Sequence, residues 1–249
     1  MSLDIIRSDL LPVPHGFFGR AGGASSGVFA GLNCGGGSTD QAEAVTINRA
    51  RVAEAMGVAP DALLGVHQVH SAVVALAPYP GPGRPRADAL VTATPGIALS
   101  VLTADCQPVL LADPEAGVVG AAHAGWRGTV AGVLEATVEA MESLGARRDR
   151  LRAAIGPTIS QRAYEVGPDL MESVLAEDAR AARFFAGGAG DRLHFDLPGY
   201  GLWRLREAGV RAEWTRHCTY SQPARFFSYR RSVHAREADY GRLIAAIRL

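Results

Sequence analysis

From Asp40 onward, Val45, Ile47, Val52 and Met56 recur at helical spacing, with Asp40 and Glu43 placed as N-cap and N3 acid and Gly57 as the stop. This pattern predicts a helix of about four turns. After Pro60, VHSAVVALA and ADALVTA read as strands, separated by the Pro/Gly-rich loop PYPGPGRPR. IALSVLTADCQPVLLAD and GVVGAAHAGW are apolar at nearly every position between turn residues, the pattern of strands covered on both faces. Gly128 to Leu144 returns to helical spacing through Val130, Val133, Leu134, Val138 and Met141, and Gly145 closes it. The alternation continues with LRAAIGP as a strand, PDLMESVLAEDARAARFF and FDLPGYGLWRLREAGV as helices, and RAEWT as a strand. The class this predicts is α+β, three-layer α/β/α-like, a mixed β-sheet flanked by helices.

Ahead of these elements, GRAGGASSGVFAGLNCGGGSTD reads as loops and short extended pieces, in which glycine permits close backbone approach. No repeat, linker or low-complexity tract divides residues 1–249, so the expectation is a single domain. All 25 cations are arginines, balanced by 25 acids. No arginine-rich run stands apart from acidic residues, so no nucleic-acid or anionic-membrane partner is expected. The start has neither a basic n-region with an apolar run nor a small-residue cleavage site, and no stretch is long enough to span a membrane; a cytoplasmic location is expected. Cys34, Cys106 and Cys218 are odd in number and widely spaced, which argues against a disulfide framework.

Three residues stand where chemistry is usually presented. His70 starts an extended run, Cys106 lies in a turn between two apolar runs, and His123 ends the strand GVVGAAH. A catalytic zinc site takes three His or Cys ligands and keeps one position open, and this set fits. The same Cys and His also fit a nucleophile and its base, so the residues alone leave both readings open. Asp105 directly precedes Cys106, and GWRG places Arg127 at a predicted helix start, a setting that favours anions.

GLNCG with the Asn48-Arg49 pair, HQVH, ADALVT, LTADCQPVLL, AAHAGWRGT, AAIGPTI, CTYSQPARFFSYRR and Arg236 together resemble the YfiH-type family, known as polyphenol oxidases or multicopper laccase-like proteins and as purine nucleoside phosphorylases. The resemblance spans nearly the whole chain. It implies a zinc-binding purine nucleoside phosphorylase of the cytosol, acting on adenosine, inosine and S-methyl-5′-thioadenosine and also deaminating adenosine. The metal ligands it implies are His70, Cys106 and His123. Copper, laccase activity and peptidoglycan-precursor editing are also attached to the family. One Cys and two His with no Met ligand nearby suit zinc better than a laccase's clustered copper centres, which need more than the 7 histidines present.

Under this reading Cys106, His123 and Asp105 are the catalytic candidates. Arg127, with Arg49 and Arg231 behind it, is the candidate for phosphate, and Asn33 for a ribose or base edge. Phe17, Phe18 and Tyr229 are candidates for stacking on a purine. His67, three residues before His70, would face the other side of a strand and is read as a bystander. His234 falls where the family often has Gly and Thr. The competing readings are a metal-free Cys/His amide hydrolase, a copper-dependent polyphenol oxidase, and a binding protein with a structural metal.

Overall fold

Strands that are apolar on both faces need a cover on each side, and the chain supplies two packed sheets with helices outside them. The computed structural model describes residues 2–79 and 83–249; residues 80–82, within the predicted loop PYPGPGRPR, lie outside the described residues. The elements run β1 (Ile5–Ile6), β2 (His15–Phe18), α1 (Ala42–Ala55), β3 (Leu63–Gly65), β4 (Val74–Leu76), β5 (Ala89–Thr92), β6 (Ala98–Thr103), β7 (Gln107–Asp113) and β8 (Val118–Ala124). They continue with α2 (Trp126–Val130), α3 (Val133–Ser143), β9 (Arg152–Ile155), β10 (Glu165–Val166), α4 (Pro168–Glu177), β11 (Phe185–Gly187), β12 (Leu193–Phe195), α5 (Leu197–Glu207), β13 (Arg211–Trp214), α6 (Tyr229–Ala235) and β14 (Leu243–Arg248).

The six-stranded sheet has the order β13-β9-β7-β8-β5-β4 and the five-stranded sheet β1-β2-β14-β6-β3. Successive side chains alternate between faces. On β7, Leu110 and Ala112 therefore enter the core between the sheets, while Val109 and Leu111 face outward toward α3 and α5. β14 divides likewise, with Leu243, Ala245 and Ile247 on the inner face and Ile244 and Ala246 against α1. Each fully buried Leu or Ile contributes about 1.5–3 kcal/mol, so both faces of these strands are worth covering. A third sheet, β10-β12-β11, packs with α4 and α5 around Phe195, Tyr200 and Leu170.

The expected mixed strands flanked by helices are present, distributed over two facing sheets. The single helix expected over Gly128 to Leu144 is two: Gly132, at φ 91°, turns the chain into the left-handed region between α2 and α3. The helix expected over PDLMESVLAEDARAARFF stops at Glu177, because the Asp178 side chain accepts from the Arg180 amide and starts a separate 3₁₀ turn. Asp40 does not cap α1, whose N-cap is Gln41; its carboxylate accepts from the Asn33 amide group instead.

Candidate functional site

Strand register brings the first pair of site residues together. β5 and β8 are antiparallel with Ala89 opposite Ala122, so Asp88 and His123 are the next cross-strand neighbours. The His123 amide donates to the Asp88 carbonyl at 2.7 Å, and His123 Nδ1 donates to Asp88 Oδ1 at 2.9 Å. A carboxylate only accepts, so Nδ1 carries a proton and Nε2 is left as the ring's other site for a proton or a metal.

Cys106 comes from the adjoining hairpin. β7 and β8 pair Gln107 with Ala124, which sets Cys106 opposite Gly125. The turn delivering Cys106 is sharp, with Asp105 at φ 85°. Cys106 Sγ lies 3.9 Å from His70 Nε2, and the His70 and His123 rings meet edge-on with centroids 4.8 Å apart. The three donor atoms all lie within 4.8 Å of one another, the one such His/Cys/acid group among the described residues. Gly125 is part of the fit: a Cβ there would sit 2.9 Å from Cys106 Sγ and 3.0 Å from His70 Cδ2. The donor set therefore fits a metal ion, with space cleared for it and one imidazole already braced by a carboxylate.

His70 arrives from the loop between β3 and β4 at φ 61°, a left-handed conformation that shortens the expected strand VHSAVVALA to Val74–Leu76. The amides of Val69, His70 and Ser71 and the Ser71 hydroxyl all donate to the Asp88 carboxylate. Burial alone would raise the Asp88 pKa, but the His123 and Ser71 donors outweigh it and hold the acid well below its usual range. Burial likewise acts to raise the Cys106 thiol, and the charge and hydrogen bonds of His123 and His70 bring it instead to about 7. Burial opposes protonation of His123, yet Cys106 and Asp88 raise its pKa to about 9. Without metal, thiol and imidazole thus form a mutually stabilised charged pair.

The group opens into a cleft of about 1510 Å³, large enough for a nucleoside with an anion beside it. Its walls carry Trp126, Arg127, Tyr164, Tyr229, Arg230 and the Gly35–Gly37 loop. Of the expected substrate-binding residues, only Arg127 lines it. Asn33 is fully buried, its amide group donating to Ser38 and Asp40 and its oxygen accepting from the Gly35 and Arg242 amides. Arg49 donates to the Leu63 carbonyl, and Arg231 to the carbonyls of Thr219, Tyr220 and Phe226. These three organise backbone. Phe17 and Phe18 fill opposite faces of β2, whereas Tyr229 is exposed on the cleft.

Asp105 has a different place from the one expected. Its carboxylate accepts from the Thr219 and Ser228 hydroxyls and the Arg230 amide, tying the Cys106 turn to the start of α6. Burial raises its pKa despite those donors. His67 lies in an isolated bridge with Arg86 and reaches the cleft wall without joining the three-donor group. His234 Nδ1 pairs with the Tyr220 hydroxyl at 2.9 Å. Asp88 and Arg230, like the wall aromatics Trp126 and Tyr164, went unread in the sequence. A lone acid opening the apolar run ADALVTA was the available signal for Asp88; Arg230 had none among so many arginines.

No helix among the described residues is long and apolar enough to cross a membrane. Among known proteins, the chain is 46% identical over 255 residues to a purine nucleoside phosphorylase of Deinococcus radiodurans, covering 99% of this chain and 93% of that one. It is 43% identical over 216 residues to purine nucleoside phosphorylase PA4543 of Pseudomonas aeruginosa, covering 86% of each. The crystal structure of Neisseria meningitidis protein NMB0706 superposes with a TM-score of 0.90 at 34% identity, over 100% of this chain and 99% of that chain. The hypothetical protein YfiH of Bacillus licheniformis does so at 0.86 and 27% identity, over 94% and 92%. The family model described as multi-copper polyphenol oxidoreductase laccase matches residues 14–249, and the chain belongs to that YfiH-type family.

Proposed function

We propose that this chain is a zinc-dependent purine nucleoside phosphorylase acting on adenosine, inosine and S-methyl-5′-thioadenosine, with adenosine deaminase activity. The observation that carries the reading is the His70, Cys106 and His123 group at the floor of an arginine-lined cleft, in a chain whose relatives are named purine nucleoside phosphorylases. Three donors with room for a fourth position suit a catalytic rather than a structural zinc. Zinc also suits the set better than copper: one compact group is present rather than several, and Met56 and Met141 lie in hydrophobic cores.

When bound, zinc supplies a Lewis acid that polarises an oxygen or purine substituent and makes water nucleophilic near neutral pH. The chain's own residues do the rest. Arg127, exposed on the cleft and carrying its guanidinium over the Trp126 ring, offers a fork of donors to phosphate. Arg230 flanks the same wall, its guanidinium 5.3 Å from the Tyr164 ring centroid. Tyr164, Trp126 and Tyr229 give apolar faces to a base. Phosphate held by these arginines attacks the sugar C1′ as the glycosidic bond breaks; the bonding electrons leave with the purine, which takes up a proton from solvent, and the product is ribose 1-phosphate from adenosine or inosine and its 5-methylthio analogue from S-methyl-5′-thioadenosine.

The test is a panel of adenosine, inosine and methylthioadenosine with and without phosphate. The expected result is hypoxanthine and ribose 1-phosphate from inosine only when phosphate is present, abolished by Cys106→Ala. Turnover independent of phosphate would refute phosphorolysis. Activity that survives complete chelation would refute the zinc reading and leave Cys106 and His123 as a metal-free nucleophile and base, the pairing a Cys/His amide hydrolase would use.

A further inference from the structure

We infer that Asp88 is the positioning residue of the metal site, with one carboxylate setting both histidines before an ion arrives. The inference rests on the reading of His70, Cys106 and His123 as metal ligands. Asp88 is completely buried at the head of β5, in a strand register that leaves it no other place. Its Oδ1 accepts from His123 Nδ1 at 2.9 Å and from the His70 amide at 2.9 Å. Its Oδ2 accepts from the Ser71 amide at 2.6 Å and the Ser71 hydroxyl at 2.9 Å, while the Val69 amide is shared between both oxygens.

These contacts divide into two jobs. Accepting from His123 Nδ1 fixes the ring orientation and reserves Nε2 as the ligand atom. Gathering three successive amides folds residues 69–71 around an anion, a backbone nest that sustains the positive φ of His70. His70 is itself exposed, and among the described residues no hydrogen bond to its ring holds it apart from the contact with Cys106. Its direction is therefore set through its backbone, and Asp88 is what sets the backbone. Cys106 is placed independently, by its own hairpin.

An isosteric Asp88→Asn change keeps the size of the side chain but puts an amide donor where one oxygen received only donors. Zinc affinity, measured by chelator competition on the full-length protein, is expected to fall about 10- to 100-fold. The visible bands of the cobalt-substituted variant are expected to shift, since they report ligand geometry rather than fold. In metal-free wild-type protein, the amides of His70 and Ser71 are expected to be already protected from hydrogen exchange; this needs no variant. Asp88→Asn that binds zinc as tightly as wild type, with an unchanged cobalt spectrum, overturns the inference. So does a 69–71 loop protected only after metal is added. Wild-type protein that takes up no zinc overturns the metal reading itself, and this inference with it.

Discussion

Gly125→Ala adds a single methyl group at a position where the proposed metal ligands His70 and Cys106 leave no room for it. Gly125 has φ −67° and ψ 168°, values that alanine adopts freely, so the backbone is not strained. The new Cβ would lie 2.9 Å from Cys106 Sγ and 3.0 Å from His70 Cδ2. Ordinary contact begins near 3.5 Å, so each side chain must retreat by roughly half an ångström. Both are free to do so at little cost to folding, but metal–ligand distances hold to within about 0.2 Å. The retreat therefore takes two of three donors out of range.

The expected loss of zinc affinity is tenfold or more, equivalent to at least about 1.4 kcal/mol. Stability of the metal-free protein should barely change. Alanine is a poorer N-cap than glycine by up to about 1 kcal/mol, and the reduced freedom of the unfolded chain returns about 0.4–1 kcal/mol. The thermal midpoint is then expected within about 2–4 °C of wild type. Chelator competition and a metal-free melt measure the two quantities. Gly36→Ala is the control, since it lines the same cleft with nothing within 4 Å of a Cβ. Equal zinc affinity in Gly125→Ala and wild type would refute the assignment of Cys106 and His70 as joint ligands.

Alkylation of Cys106 in metal-free protein should rise through about pH 7. In His123→Ala that midpoint should move upward, because burial is left without the charge that opposes it; bound zinc should suppress the reaction, as iodoacetamide kinetics would show. Arg127→Ala should raise the KM for phosphate by tenfold or more, the worth of about 1.5–3 kcal/mol for a charge-assisted hydrogen bond. Arg49→Ala and Arg231→Ala should leave that KM unchanged and lower the melting temperature, because their guanidinium groups serve backbone carbonyls.

Strands with both faces covered were legible because nearly every residue along them is apolar, and that property is local. Their division into two sheets was not. β14 lies between β2 and β6, so the centre of the five-stranded sheet is closed by the last strand of the chain, a pairing between residues far apart in sequence. HGFF, just ahead of the glycine-rich tract, is too short to announce a strand, although Phe17 and Phe18 each anchor a core. α6 was hidden because its capping Ser228 is followed by charged residues with no apolar period.

The same distinction separates the site residues that sequence reading found from those it did not. Cys106 and His123 stand at strand ends and His70 in the loop ahead of β4, beside turns that local pattern announces, and their residue types have few bland uses together. Asp88 acquires its role only when β5 and β8 take one particular register; shifted by a residue, its carboxylate would face α3 instead of the histidines. Arginine is the opposite case. Arg231 gives its guanidinium to three carbonyls away from the cleft, whereas Arg230 donates to the Glu165 carbonyl and also lines the cleft, although the two are adjacent in a short helix and identical in chemistry. Which guanidinium is available to an anion is decided by where the helix starts, and Asp105 holds that start by accepting from Ser228 and the Arg230 amide. The residue beside Cys106 thus connects the His70, Cys106 and His123 group to the wall that carries Arg127 and Arg230, so displacing the Cys106 turn should disturb both together.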